Sequence, residues 1–242
     1  MHLALASNED LGDFAPEPTK PEDVQRWIDD VIARAERVFG TLAQRRETLK
    51  EADRPLADQL LAQETSLPER LKALLPRDIG GFNIRHHGDF HLGQMLIVKD
   101  DIFIIDFAGA PRQSIAARRR KAPAARDVAG LIRSIDYAAM VAFERALRKW
   151  PEEHARLLDA LDDWSRQSID TFMASYRGTL TNQNLWPALR AKADRLLDFF
   201  LLEKAFDEVN YELQNRPRFL GVPLLALHKI LTKRLSPFSR QA

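Results

Sequence analysis

One stretch of this chain, Ile84 to Phe107, leaves the helical spacing that governs the rest, and it confines what the fold can be. Met95 to Val98 and Ile102 to Ile105 are short, apolar and rich in β-branched residues, and Lys99-Asp100-Asp101 between them predicts a hairpin. Helical patterns stand on both sides of it. Pro21-Glu22-Asp23 opens a helix, because Pro is tolerated in the first turn and acids suit the helix dipole there. Trp27, Ile28, Val31, Ile32, Ala35, Val38, Phe39 and Leu42 then mark one face. Two shorter helices, 56–63 and 67–75, are expected before Pro76 and Gly80-Gly81 end this section. Beyond the hairpin the pattern predicts helices over 126–149, 151–178, 186–214 and 222–235. The third carries Leu196, Leu197, Phe199, Phe200, Leu201, Leu202, Phe206 and Val209, apolar nearly all round, so it should run through a core. Residues 7–20 and 108–125 read as irregular. Strands and helices do not alternate, which argues against a parallel Rossmann-type sheet. The expected class is mainly α (α+β): one helical body over 1–242, with a helix end and loop at 1–20, the hairpin section at 84–107 and a helical section at 126–235.

Composition narrows the function classes. Hydrophobic residues make up 45% of 242, enough for a sizeable core. A formal net charge of +1 argues against a general nucleic-acid binder. Without Cys, disulfides, thiolate zinc sites and thiol catalysis are excluded. Met1-His2-Leu3-Ala4-Leu5-Ala6 is too short and uncharged for a signal peptide, and no apolar run approaches the roughly 18–20 residues of a membrane span. The expectation is a cytoplasmic protein without nucleic-acid or membrane partners.

Around the hairpin lie the residues that can carry chemistry. The run reads His87-Gly88-Asp89-Phe90-His91-Leu92-Gly93-Gln94, and Asp106 closes the second apolar run. A carboxylate followed five residues later by an amide, with a second carboxylate after a hairpin, is the layout phosphoryl transfer requires. Asp89 would accept the proton of an acceptor hydroxyl, and Gln94 and Asp106 would offer oxygens to Mg2+ on ATP. Gly88 allows unusual backbone angles and close ligand approach. Each residue also has a plainer reading: Asp89 as a turn cap, Gln94 as a loop hydrogen bonder, Asp106 as a strand-ending Asp. His87 is expected to fix the loop by hydrogen bonds. His91 is either an ordinary loop histidine or a contact to a sugar or phosphate oxygen. His86, His87 and His91 together also allow a histidine-ligated metal hydrolase.

Three further features are equivocal. Arg118-Arg119-Arg120-Lys121 is a solvated run or a phosphate or partner contact. Asp127 is expected to favour a helix N-terminus, a structural role. Lys204, Glu208, Tyr211, Glu212 and Asn215 share one helical face, which is either an exposed stripe or a sugar cradle with a stacking ring.

Taken together these residues resemble the C-terminal lobe of bacterial maltokinases, including maltokinase domains fused to trehalose synthase, in the aminoglycoside-phosphotransferase and protein-kinase-like fold. The likeness is carried by His2-Leu3-Ala4-Leu5-Ala6, Phe14-Ala15-Pro16-Glu17-Pro18, Pro21-Glu22-Asp23, His87 to Gln94, Ile105-Asp106-Phe107, Arg126 to Ala139, Glu203-Lys204-Ala205, Tyr211-Glu212-Leu213 and Asn215-Arg216-Pro217. It implies transfer from ATP to maltose, giving maltose 1-phosphate. Asp89 and His87 would serve the chemistry, Gln94 and Asp106 would hold Mg2+, and His91, Glu208, Tyr211, Glu212 and Arg216 would contact the sugar. Departures are visible. The family usually reads Asp-Phe-Glu-Gly-Glu-Pro where this chain has Asp106-Phe107-Ala108-Gly109-Ala110-Pro111, and it commonly has Tyr at the position of Asp207. No Gly-rich phosphate loop or sheet precedes His87. The resemblance therefore implies a C-lobe whose N-terminal lobe, upstream or in trans, or a trehalose synthase partner, completes it, with little activity alone. The competing expectations are a non-catalytic binding domain derived from such a lobe, and a lobe acting on another sugar.

Overall fold

A computed structural model describes residues 1–111, 113–180 and 185–234. Among them the α-helices are α1 (His2–Leu5), α2 (Pro21–Arg45), α3 (Arg54–Leu61), α4 (Leu67–Leu74), α5 (Ile115–Arg119), α6 (Ala125–Leu147), α7 (His154–Thr179), α8 (Arg190–Asn215) and α9 (Gly221–Lys229). Met95–Val98 and Asp101–Ile104 form an antiparallel hairpin in the register Met95↔Ile104, Leu96↔Phe103, Ile97↔Ile102 and Val98↔Asp101. The class is mainly α, with the hairpin where the change of period predicts it; the two-residue strands Glu17–Pro18 and Phe82–Asn83 lie outside that reading. The chain divides into two compact units, Met1–Glu17 with Phe82–Trp186, and Pro18–Gly81 with Pro187–Ala242.

The first unit is built on α6 and α7, which pack against each other. Phe90, Leu131 and Ile135 are buried together, with Met95, Ile104, Ile169 and Phe172 against them, so the base of the hairpin is held by the same apolar cluster as the two helices. A second cluster, Ile84, Ala124 and Leu185, packs Leu3 and Ala6 of the N-terminal segment. A backbone bridge between Ile84 and Ala122 (3.0 and 3.1 Å) sets the strand entering the hairpin section beside the start of α6.

The second unit is organised by α8. Its predicted apolar residues are all buried, and Trp27 and Phe39 of α2 meet Phe200 and Phe206 edge-on, with ring centroids 5.5 and 5.7 Å apart. Each fully buried Phe or Leu is worth about 1.5–3 kcal/mol, whereas an exposed helix pair such as Arg190–Asp194 adds only about 0.3–0.5 kcal/mol. The apolar face therefore fixes how α8 sits. Along α2 the predicted stripe is buried except for Ile32, which is half-buried, and Val24 extends it.

Several boundaries differ from the sequence reading. The helix expected from 186 begins at Arg190, because Pro187 disfavours helical backbone at the residue before it. The stretch 108–125, read as irregular, contains α5, capped by Ser114, whose Oγ accepts from the Ala117 amide at 3.2 Å. The helix expected over 222–235 is α9 followed by a π-helical turn to Arg234; residue 235 lies outside the described residues.

Candidate active site

The candidate site lies in the first unit and is organised around Asp127, in the first turn of α6. Its carboxylate is 2% exposed and accepts the His87 amide on Oδ2 (2.7 Å) and the Gly88 amide on Oδ1 (2.9 Å). His2 Nε2 stands 3.1 Å from Oδ2, and His2 Nδ1 is 2.7 Å from the Tyr176 hydroxyl. Burial pushes the Asp127 carboxyl up, but the hydrogen bond with His2, the charges of His86 and His2 and the Gly88 amide outweigh it and hold the group at about 2. The ionised carboxylate thus anchors the two residues before Asp89. The sequence reading places Asp127 at a helix start and misses this role, and it names His2 only for the family resemblance, with no contact assigned to it. The signal for Asp127 was a charged residue directly before Val128-Ala129-Gly130, a segment too apolar to be solvent-facing.

His87 makes the next link. It is 1% exposed, between the rings of Phe90 and Phe107 at 5.4 and 4.8 Å. Its Nδ1 accepts from the Asp89 amide at 3.3 Å, so its Nε2 carries the proton and donates to the Ile105 carbonyl at 2.8 Å. One imidazole therefore bridges the backbone of Asp89 to the residue preceding Asp106.

Gln94 and Asp106, far apart in the hairpin sequence, meet at its base. The Ile105 amide donates to the Gln94 carbonyl at 3.0 Å, and Gln94 Nε2 lies 3.3 Å from Asp106 Oδ2. Asp106 takes φ 61°, a left-handed conformation uncommon outside Gly, at the position where its carboxylate reaches Gln94. An amide and a carboxylate meeting at one corner are residue types that fit Mg2+, which characteristically uses one or two carboxylates and keeps other positions for water and phosphates; Gln94 presents Nε2 to Asp106 here, and its Oε1 would be the atom offered to the ion. His91 Nδ1 accepts from the Gly93 amide at 3.0 Å, capping the turn that presents Gln94. Among the described residues no group of three or more His, Cys, Asp or Glu is arranged to hold a metal, so the histidine-ligated hydrolase finds no support.

The loop leaves no room behind it. A Cβ on Gly130 of α6 would stand 2.5 Å from the Phe90 carbonyl oxygen. Gly130→Ala is expected to cost about 1–3 kcal/mol through this overlap, although Ala is the better helix former by about 1 kcal/mol. Urea unfolding checks it, and a stabilised variant would show that the contact yields freely.

His86 supplies a pH dependence. It is 8% exposed, its Nδ1 has no hydrogen-bond partner among the described residues, and burial pushes the imidazole down to about 4. As pH falls below 6.5 the unfolded chain takes up a proton here that the folded unit refuses until about 4. The stabilisation is complete above 6.5 and is lost as pH falls through that window, by about 3 kcal/mol. Comparing denaturant unfolding at pH 7 and pH 4, wild type should lose about 3 kcal/mol more than His86→Asn. Equal losses would sink the assignment.

The remaining predicted residues lie in the second unit, on α8 and just beyond it. Glu208 is half-buried and Tyr211 is 38% exposed, whereas Glu212 is buried and its carboxylate is taken by Arg216 at 2.6 and 3.1 Å. The Arg216 guanidinium lies 4.9 Å over the Tyr211 ring. Asp207 has a structural partner: with Glu203 it pairs with Arg34 of α2, at 3.1 and 3.3 Å. Of the basic run, Arg119 and Arg120 are exposed, but Arg118 reaches the Ala108 carbonyl at 3.1 Å. Lys121 Nζ sits among the Gly12 and Ala15 carbonyls and Glu17. The expectation of a solvated run is corrected at these two positions, because their heads find carbonyl oxygens of other segments and, for Lys121, a carboxylate.

No protein-family model matches the chain. Over 182 residues it is 32% identical to a glucosamine kinase of Streptacidiphilus jiangxiensis, covering 69% of this chain and 38% of that protein. Over 148 residues it is 32% identical to a glucosamine kinase of Mycolicibacterium smegmatis, covering 60% of this chain and 34% of that protein. The chain thus spans little more than a third of these relatives. Among solved structures, a glucosamine kinase in complex with glucosamine, ADP and inorganic phosphate superposes with a TM-score of 0.73 at 23% identity, over 97% of this chain and 52% of that one. A second crystal form of a glucosamine kinase gives 0.72 at 24% identity, over 97% and 51%. The chain shares the fold of about half of such a kinase. The similarity is to sugar kinases, the class that the motifs resemble, with relatives named for glucosamine and not for maltose.

Proposed function

We propose that this chain is the phosphoryl-transfer lobe of an ATP-dependent sugar kinase with glucosamine as its acceptor. The observation that carries the reading is the meeting of Gln94 with Asp106 beside a loop whose Asp89 is tied to the same corner through His87. Asp89 would orient the acceptor hydroxyl and take its proton as the oxygen attacks the γ-phosphorus of ATP, with ADP leaving. Gln94 and Asp106 would hold Mg2+. When bound, the ion would neutralise charge on the nucleotide phosphates. His87 contributes by position: with Nε2–H committed to the Ile105 carbonyl and Nδ1 to the Asp89 amide, it sets the loop and moves no proton. Sugar contacts by His91, Glu208, Tyr211, Glu212 and Arg216 are proposed on the motif resemblance alone, and so is maltose as an alternative acceptor.

The relatives are more than twice as long as their matched part, and nucleotide binding is proposed to need the portion this chain does not span. The test is to incubate the chain with ATP, Mg2+ and either glucosamine or maltose, alone and fused to the complementary part of a related glucosamine kinase. Phosphosugar formation would be followed by mass spectrometry. The expected result is glucosamine phosphate from the fusion and little from the chain alone. A folded fusion that binds Mg-ATP and phosphorylates neither sugar would dismiss the proposal, and one that prefers maltose would reassign the acceptor.

A further inference from the structure

Gly88 and Gly109 both have positive φ, 83° and 76°, and they touch: a Cβ on Gly88 would lie 3.2 Å from Gly109 Cα. The loop carrying Asp89 and the segment following Asp106 therefore cross at two glycines, an approach that side chains would prevent. Behind Gly109 lies the stem of Arg118, with Cγ 3.2 Å and Cβ and Cδ 3.3 Å from where a Gly109 Cβ would stand. The Arg118 guanidinium donates through Nη1 to the Ala108 carbonyl at 3.1 Å, and its Nε is buried without a partner among the described residues. Arg118 itself is held in place. It sits on α5, which Ser114 caps at one end, and at the other end the Arg119 carbonyl accepts from Arg85 at 3.0 Å.

From this stack we infer that Arg118 is a positioning residue, a clamp that presses the Ala108–Gly109 backbone onto Gly88 and so sets Asp106 relative to Asp89. It acts through the Ala108–Gly109 backbone, which follows Asp106 and lies against Gly88. Its bearing on phosphoryl transfer rests on the function proposed above, but its mechanical role does not. A buried Nε without an acceptor is a cost that this placement carries, which an Arg on a purely solvated face would not bear.

The two claims separate experimentally. Amide exchange by NMR on the intact chain reports His87, Gly88, Asp89 and Ile105, whose amides are hydrogen-bonded in the two segments that lead into this crossing. In Arg118→Ala these amides should exchange ~5- to 10-fold faster, the scale of one net hydrogen bond, while amides in the middle of α7 keep their rates. Arg118→Met retains the stem and should restore part of the protection. Arg118→Lys, which retains a donor, should restore more. Mn2+ titration, followed by broadening of the Gln94 side-chain amide, should give ~5-fold weaker affinity in Arg118→Ala, since only local order changes. Unchanged exchange at the four amides, or an equal rise in α7, would overturn the clamp. If wild type binds no Mn2+ at Gln94, the metal reading of the site fails, and the exchange data still decide the role of Arg118.

Discussion

Replacing Asp89 by Asn in the active form of the protein is expected to lower sugar phosphorylation ~100- to 10,000-fold, the range for losing a positioned general base. The amide is isosteric, so the loop should keep its shape, and the anchors that hold it are the Asp127 carboxylate and the His87 ring. The loss should therefore appear in kcat with KM for the sugar little changed, because the proton is accepted as the transition state forms. Steady-state kinetics with glucosamine and Mg-ATP measure it, alongside circular dichroism to show that the variant is folded. An Asp89→Asn enzyme retaining more than a tenth of wild-type kcat would remove Asp89 from the role of base.

Asp127→Ala should damage the protein more broadly. It removes the acceptor for two loop amides and the partner of His2, all buried. Removing one member of a buried, hydrogen-bonded charged group costs about 3–5 kcal/mol. By contrast, an exposed pair such as Arg166–Asp163 contributes about 0.2–1 kcal/mol. Asp127→Asn keeps one carbonyl acceptor, so one loop amide stays satisfied and the loss should be roughly half as large. Denaturant unfolding of the three proteins at pH 7 checks the order. If Asp127→Ala unfolds at the wild-type midpoint, the carboxylate is not what holds His87 and Gly88.

Much of this was legible in the sequence. The change of period located the hairpin, and the apolar residues of α2 and α8 identified the faces that are buried. Asp89, Gln94 and Asp106 were chosen by residue type and spacing, and two of the three now stand in side-chain contact. Less was legible where a residue's partner lies far along the chain. Asp207 lies on α8 by periodicity, yet its carboxylate is occupied by Arg34 of α2. Arg118 and Lys121 looked like a solvated run because charge predicts exposure unless something covers the stem, and nothing local reveals the cover.

Sequence alone determined the class of elements and the chemical inventory, because hydrophobic period and residue type are local properties: a mainly helical chain, one hairpin, and two carboxylates and an amide around it. The tertiary structure decided which groups are anchored and by what. Asp127 holds the loop through amides some forty residues upstream, His2 reaches it from the chain's first turn, and Gly130 matters because the Phe90 carbonyl lies against it. Such roles depend on burial and on hydrogen-bond geometry between distant segments, and neither exists until the chain has packed.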